Sequence, residues 1–230
     1  MNLGKLNFKI KDKEFLLDCF LILFVLQIGR IVIKNILLSV LNFTAVNVNI
    51  ANIISIMIVG ISVFLFLRGS NSFNPAGYRL TELSNKYDNK KIRIILFAVT
   101  LLSLLATIVI KGDNVFYGWL MICLSAVVIP FYEEMIFRQY LWNYINTFVE
   151  EEKITWIIVS ILSILFVLGY WDMISQNIMV ISSDKFTVDI ALSRMGLGVI
   201  ISAVTGFMKY KYKDIYLCVF LHTIINCIFF

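Results

Sequence analysis

Apolar residues run through this chain in long stretches, separated by short polar segments. A stretch of about 20 apolar residues crosses a hydrocarbon core roughly 30 Å thick. Seven such spans can be drawn, over 15–33, 47–67, 92–110, 115–132, 154–171, 191–208 and 215–230. A lone segment in lipid must bond its own backbone, so each span is expected to be helical. Lys5, Lys9, Lys11 and Lys13 precede the first stretch, as in a signal peptide. The stretch nevertheless runs from Phe15 to Ile33 without an A-x-A-like site after its first half, so it reads as an uncleaved span. The expected fold is all-α, a polytopic integral membrane helical bundle of about seven spans. Its expected parts are 1–91, the N-terminal spans and a cytoplasmic loop, and 92–230, the core.

Composition agrees with this pattern. Of 230 residues, 60% are hydrophobic and 15% charged, and the mean hydropathy is +0.88. A soluble domain of this size exposes more polar surface. With only 2 prolines and 11 glycines the chain is neither a linker nor a low-complexity segment. The formal charge of +5 follows from topology rather than from nucleic-acid binding. With the N-terminus in the cytoplasm, fifteen of the 20 Lys and Arg fall on inner segments. The other five, Arg30, Lys34, Lys111, Lys185 and Arg194, fall at outer edges, as the positive-inside rule requires. No nucleic-acid partner is implied; membrane lipids are.

The loop 68–91 reads as a turn and a short interfacial helix from Arg79 to Tyr87. The polar 172–190 segment reads as an outer loop. Trp119, Trp142, Trp156 and Trp171 lie near span ends, where an aromatic belt forms. Asn47, Asn49 and Asn52 suit capping and interfacial hydration. Asp18 suits pairing with the nearby lysines. Cys19, Cys123, Cys218 and Cys227 show no CxxC pairing and read as small hydrophobes.

Charge inside a bilayer is costly and usually functional. Glu133, Glu134 and Arg138 sit in FYEEMIFRQYLW, directly after an apolar run. Glu134 and Arg138 are spaced i, i+4, so they share a helical face and can pair. Glu133 is rotated by about 100° and lacks that partner. Such a carboxylate suits a general base that activates water. Equally, Pro130 could end the span and leave both glutamates solvated at the inner interface. The single histidine, His222, lies in the last span with Asn226 at i+4 on the same face. These two groups suit either a helix–helix hydrogen bond or an oxyanion contact.

EEMIFR and HTIIN together resemble the EExxxR and HxxxN motifs of the CPBP family, the CAAX proteases and bacteriocin-processing enzymes also called Abi. The resemblance covers roughly 92–230, with Glu133, Glu134, Arg138, His222 and Asn226 in the motif positions. The family's second motif, FxxxH, falls on Phe166 to Tyr170, and Tyr170 stands where the histidine belongs. The resemblance implies a multi-helix intramembrane endopeptidase in the bacterial cell membrane, acting on a membrane-associated peptide or protein. Some relatives process prenylated CAAX tails and others bacteriocin leaders. The Ile-, Asn- and Lys-rich composition leans toward the second.

The resemblance leaves two readings open. In the first, Glu133 activates water and Glu134 and Arg138 fix the helix. His222 and Asn226 then hold the oxyanion, and Tyr170 donates a hydrogen bond. In the second, Tyr170 marks a lost site, and the chain is a membrane-embedded regulatory or immunity scaffold. Tyrosine is a poor metal ligand at neutral pH, because its hydroxyl titrates near about 10. The expectation is therefore no cofactor, or a weakly held divalent metal on Glu133 and His222. A transporter would need a polar stripe through several spans. Counted along the spans, Glu133 falls near an inner end and Tyr170 near an outer end. They can meet only if the fourth span starts above the bilayer or its helix continues past Pro130 through Tyr140 and Trp142.

Overall fold

The computed structural model of the chain describes residues 14–69, 89–110, 115–170, 172 and 187–229. The expected interfacial helix over Arg79 to Tyr87 and residues 173–186 of the expected 172–190 loop lie outside them; 187–190, read as loop, are instead the first residues of a helix. Among the described residues the structure is a helical membrane bundle. Its seven helices match the drawn spans in order: α1 (Glu14–Val40), α2 (Ala45–Gly69), α3 (Lys90–Ile110), α4 (115–146), α5 (Glu152–Leu168), α6 (Thr187–Tyr212) and α7 (Ile215–Phe229). Four of them are long and apolar enough to cross a membrane, and α7 is a shorter apolar helix.

The outer faces follow from the apolar excess. Leu17, Leu21, Phe24 and Val25 of α1 are exposed, as are Ile94, Ile95, Leu102 and Leu105 of α3. In water such a surface would aggregate; in lipid it is the solvated face. The interior holds a cluster that joins α1, α2, α4 and α5, from Phe15 and Cys19 through Ile56, Tyr132, Phe137 and Trp142 to Phe166 and Tyr170.

The fourth helix does not stop at Pro130. It runs as one rod, with π-helical stretches over Cys123–Val128 and Met135–Leu141 around an α-helical stretch over Ile129–Glu134. A proline ring clashes with the carbonyl four residues back and removes one donor. Just before it, the Ile129 N–H bonds the Leu124 carbonyl, five residues back. This widened turn gives the ring room, so the rod passes through. Glu133 therefore sits at most about 20 Å above the Asn146 end, well inside the rod.

Other differences share one cause: polar side chains expected at edges turn inward. Trp142 is 1% exposed and belongs to the core rather than to a belt. Its Nε1 donates to Glu152 Oε1 at 3.3 Å. Asn49 and Asn52 are buried rather than hydrated, and Asn49 Nδ2 points at Met121 Sδ, 3.0 Å away. Asp18 accepts from the Tyr144 hydroxyl at 2.8 Å; the lysines expected to pair with it lie outside the described residues. Arg30 and Lys34, expected at an outer edge, lie within α1 at 0% and 1% exposure. The first helix runs on to Val40 and carries them inward. Of the cysteines, Cys19 and Cys218 are buried while Cys123 is exposed, and all four are free.

Two seams set the position of α7. The α5–α6 seam is built on small residues: Gly198 faces Val167 and Gly206 faces the Trp156 indole. Between them the Ser163 and Ser202 hydroxyls bond each other. Small residues at this spacing let membrane helices approach closely. The α6–α7 turn passes through Lys213 at φ 54°. Asp214 then caps α7 by accepting the Tyr216 N–H at 2.9 Å. Arg93 of α3 pairs with Asp214 at 2.8 Å, which ties α3 to the turn that aims α7 inward.

Candidate active site

Glu133 and Glu134 close the α-helical stretch of α4, and Arg138 follows in the second π stretch. Glu134 meets Arg138 as their spacing predicts, with Oε2 3.5 Å from Arg138 Nε. Arg138 also reaches across to α6, donating from a terminal nitrogen to the Ser202 carbonyl at 3.1 Å. His222 enters from α7 and puts Nδ1 2.9 Å from Glu134 Oε1. Its other nitrogen, Nε2, lies 4.0 Å from Glu133 Oε2. Glu133, Glu134, Arg138 and His222 thus form one buried cluster between α4, α6 and α7.

The two carboxylates differ. The Glu134 side chain is 2% exposed and engaged by both Arg138 and His222. The Glu133 side chain is 11% exposed, and its contact to His222 is too long for a direct hydrogen bond. A carboxylate can only accept, so the Glu134 contact puts an N–H on Nδ1; in the neutral ring the lone pair is then on Nε2, the nitrogen that faces Glu133.

Tyr170 joins this cluster from the end of α5. Its ring is 5.6 Å from that of Phe166 and perpendicular to it. Its hydroxyl lies beside the Glu133 carboxylate. The expected conflict of depth disappears because α4 continues past Pro130. Asn226 lies one turn beyond His222, and its Nδ2 donates to the Ser125 carbonyl at 2.7 Å, inside the first π stretch. It anchors α7 to α4 rather than facing Glu133.

Several residues of this neighbourhood were not legible in the sequence. Arg30 lies under Tyr170, its guanidinium carbon 4.9 Å from the ring centroid. The guanidinium also bonds the Gly169 carbonyl at 2.9 Å, Gln27 Oε1 at 2.9 Å and Asp172 Oδ1 at 2.6 Å. A lone cation in an apolar run was the available signal. Tyr132 carried no signal of its own. It packs over Gly60 of α2, where a Cβ would lie 3.3 Å from its ring.

The matching family model is that of the type II CAAX prenyl endopeptidases, Rce1-like, over residues 114–228. The chain belongs to this family. The match covers α4 to α7, the helices that supply Glu133, Glu134, Arg138, Tyr170, His222 and Asn226. No curated protein and no solved structure matches the chain. The family is one of CAAX prenyl endopeptidases, and this chain is a membrane protein of that family.

Among the described residues no group of three or more His, Cys, Asp or Glu side chains is arranged to hold a metal ion. Glu134 and His222 Nδ1 are committed to each other. That leaves Glu133 and His222 Nε2 as free donors, where a catalytic zinc takes three protein ligands. The described residues do not fit a tightly held zinc.

Proposed function

We propose that this chain is an intramembrane endopeptidase that cleaves a membrane-associated peptide or protein with water activated by Glu133. The observation that carries this reading is the facing pair of Glu133 Oε2 and His222 Nε2, 4.0 Å apart. One water at roughly 2.8 Å from each atom fits between them. Both groups accept hydrogen bonds, so such a water turns a lone pair toward a third direction, where a scissile carbonyl would lie. Glu133 takes a proton as the water oxygen bonds the carbonyl carbon, and the π pair moves to the carbonyl oxygen. The same proton passes to the leaving nitrogen as the C–N bond breaks. Glu134 and Arg138 hold His222 in the tautomer this requires.

This division of labour differs from the sequence expectation, which gave the oxyanion to His222 and Asn226. The Nδ1–H tautomer makes His222 Nε2 an acceptor, and Asn226 is engaged by Ser125. No step is routed through a metal. The charge distribution supports a cytoplasmic N-terminus, with a bacterial membrane as the setting.

The test uses the purified protein in detergent with an internally quenched farnesylated CAAX peptide. The parent is expected to cleave it, and Glu133→Gln to lower kcat by about 10³-fold. Equal cleavage by both would remove Glu133 from the mechanism. A second probe, an unprenylated leader peptide, distinguishes the two substrate classes. Tyr170 favours the other reading, a non-catalytic membrane scaffold. Absence of cleavage of either probe, with the fold intact, would favour that reading.

A further inference from the structure

Pro130 leaves one carbonyl of α4 without its helical donor, and the geometry says which. Just ahead of the proline the backbone bonds run five residues back, as from the Ile129 N–H to the Leu124 carbonyl. The next bond of that register would join residue 130 to the Ser125 carbonyl, and a proline carries no N–H. Inside a bilayer such a backbone group must be satisfied by protein, because no bulk water reaches it. The Ser125 hydroxyl is turned away, donating to the Met121 carbonyl at 2.6 Å. The donor that fills the Ser125 carbonyl comes from another helix: Asn226 Nδ2 of α7, at 2.7 Å.

The same bond bears on where α7 stands. At its start α7 is tied to α3 through Asp214, which pairs with Arg93 at 2.8 Å. Farther along, Asn226 ties it to α4. His222 lies between these two ties, one helical turn before Asn226. Glu134 orients the imidazole from 2.9 Å at Nδ1, but it does not by itself set how far the α7 backbone stands from Glu133. That separation decides whether the 4.0 Å gap between His222 Nε2 and Glu133 Oε2 keeps room for one water. Pro130 is the only proline of α4. The carbonyl it opens is therefore a single mating point, and α7 has one register in which Asn226 reaches it.

We propose that Asn226 is a positioning residue, docked on the Ser125 carbonyl that Pro130 leaves open, and that this bond sets the register of α7 and with it the distance from His222 to Glu133. The proposal rests on the hydrolytic reading above and adds a role to it. Asn226 touches neither the attacking water nor the substrate; it acts through His222. Pro130, Ser125 and Asn226 form one device, in which the proline matters as much as the amide and the serine serves only through its backbone. The HTIIN segment then joins a group that meets the water to one that aims it.

His222 is the only histidine in the chain, so its imidazole gives a single set of NMR signals in the purified protein. Asn226→Ala should shift or broaden those signals without substrate present. It should also lower kcat on the farnesylated peptide roughly 100-fold, with KM within about twofold. Its thermal unfolding midpoint in detergent should fall, because the Ser125 carbonyl is left open. Pro130→Ala returns an N–H to residue 130. In that background Asn226→Ala should lower the midpoint by roughly half as much or less, while the His222 signals still move. Signals that stay in place overturn the proposal whether or not kcat falls; with a fall, Asn226 acts on the substrate directly. An equal loss of midpoint in both backgrounds also overturns it, because Asn226 is then not filling the gap left by Pro130. Should Asn226→Ala not fold, the double variant carries the same readouts, and its failure to fold as well overturns the proposal. A parent that cleaves neither peptide ends the hydrolytic reading, while the signals and midpoints still decide whether Asn226 positions His222.

Discussion

Two buried charge clusters lie on either side of Tyr170, and they are built in opposite ways. Around Arg30 the polar groups are tied to one another. The guanidinium makes four hydrogen bonds, to Gln27, to Gly169 and to both oxygens of Asp172, and Lys34 pairs with the same carboxylate. Around Glu133 the bonds are left open. Glu133 meets His222 only at 4.0 Å, and the Tyr132 hydroxyl forms no hydrogen bond among the described residues. A satisfied network stiffens a fold, whereas a partly satisfied one holds polar groups ready for a molecule that comes and goes. The contrast separates scaffold from chemistry more sharply than burial does, since both clusters are buried.

The comparison breaks most visibly at Arg30. Arg30→Met should destabilise the bundle by about 3–5 kcal/mol, because it strands part of a buried ion pair. A thermal unfolding midpoint in detergent that stays put would mean the cluster is not structural. Glu134→Gln sharpens the other side. It loosens His222 and Arg138 together, so kcat should fall by about 10²-fold with a smaller loss of stability. A loss confined to KM would mean that His222 is not positioned through Glu134. Ser163→Ala tests a place that belongs to neither cluster. Its hydroxyl bonds Ser202 of α6 and the Ser160 carbonyl of its own helix, so stability should change by about 1 kcal/mol and turnover hardly at all. A large kcat effect there would extend the working cluster into the α5–α6 seam.

The order of the helices could be read from the sequence because the signal is local. An apolar run of bilayer length must be a helix wherever it packs, and the seven drawn spans each find one. The pairing of Glu134 with Arg138 was equally legible, since four residues along one helix stay on one face in any fold. The family resemblance pointed to the glutamates, the histidine and the asparagine, but it could not say which of them face each other.

Distance in space is what one chain of letters does not hold. The π stretches that carry α4 past Pro130 depend on what surrounds the rod. Arg30 and Lys34 looked like edge charges because their partner lies 142 and 138 residues away. Asn226 looked like a reacting group because its carbonyl partner sits on another helix, 101 residues earlier. Periodicity along the chain determined which residues form helices and which share a face. Only the packing of the helices decided which polar atoms would be satisfied and which would be left facing Glu133, because that depends on neighbours contributed by other helices.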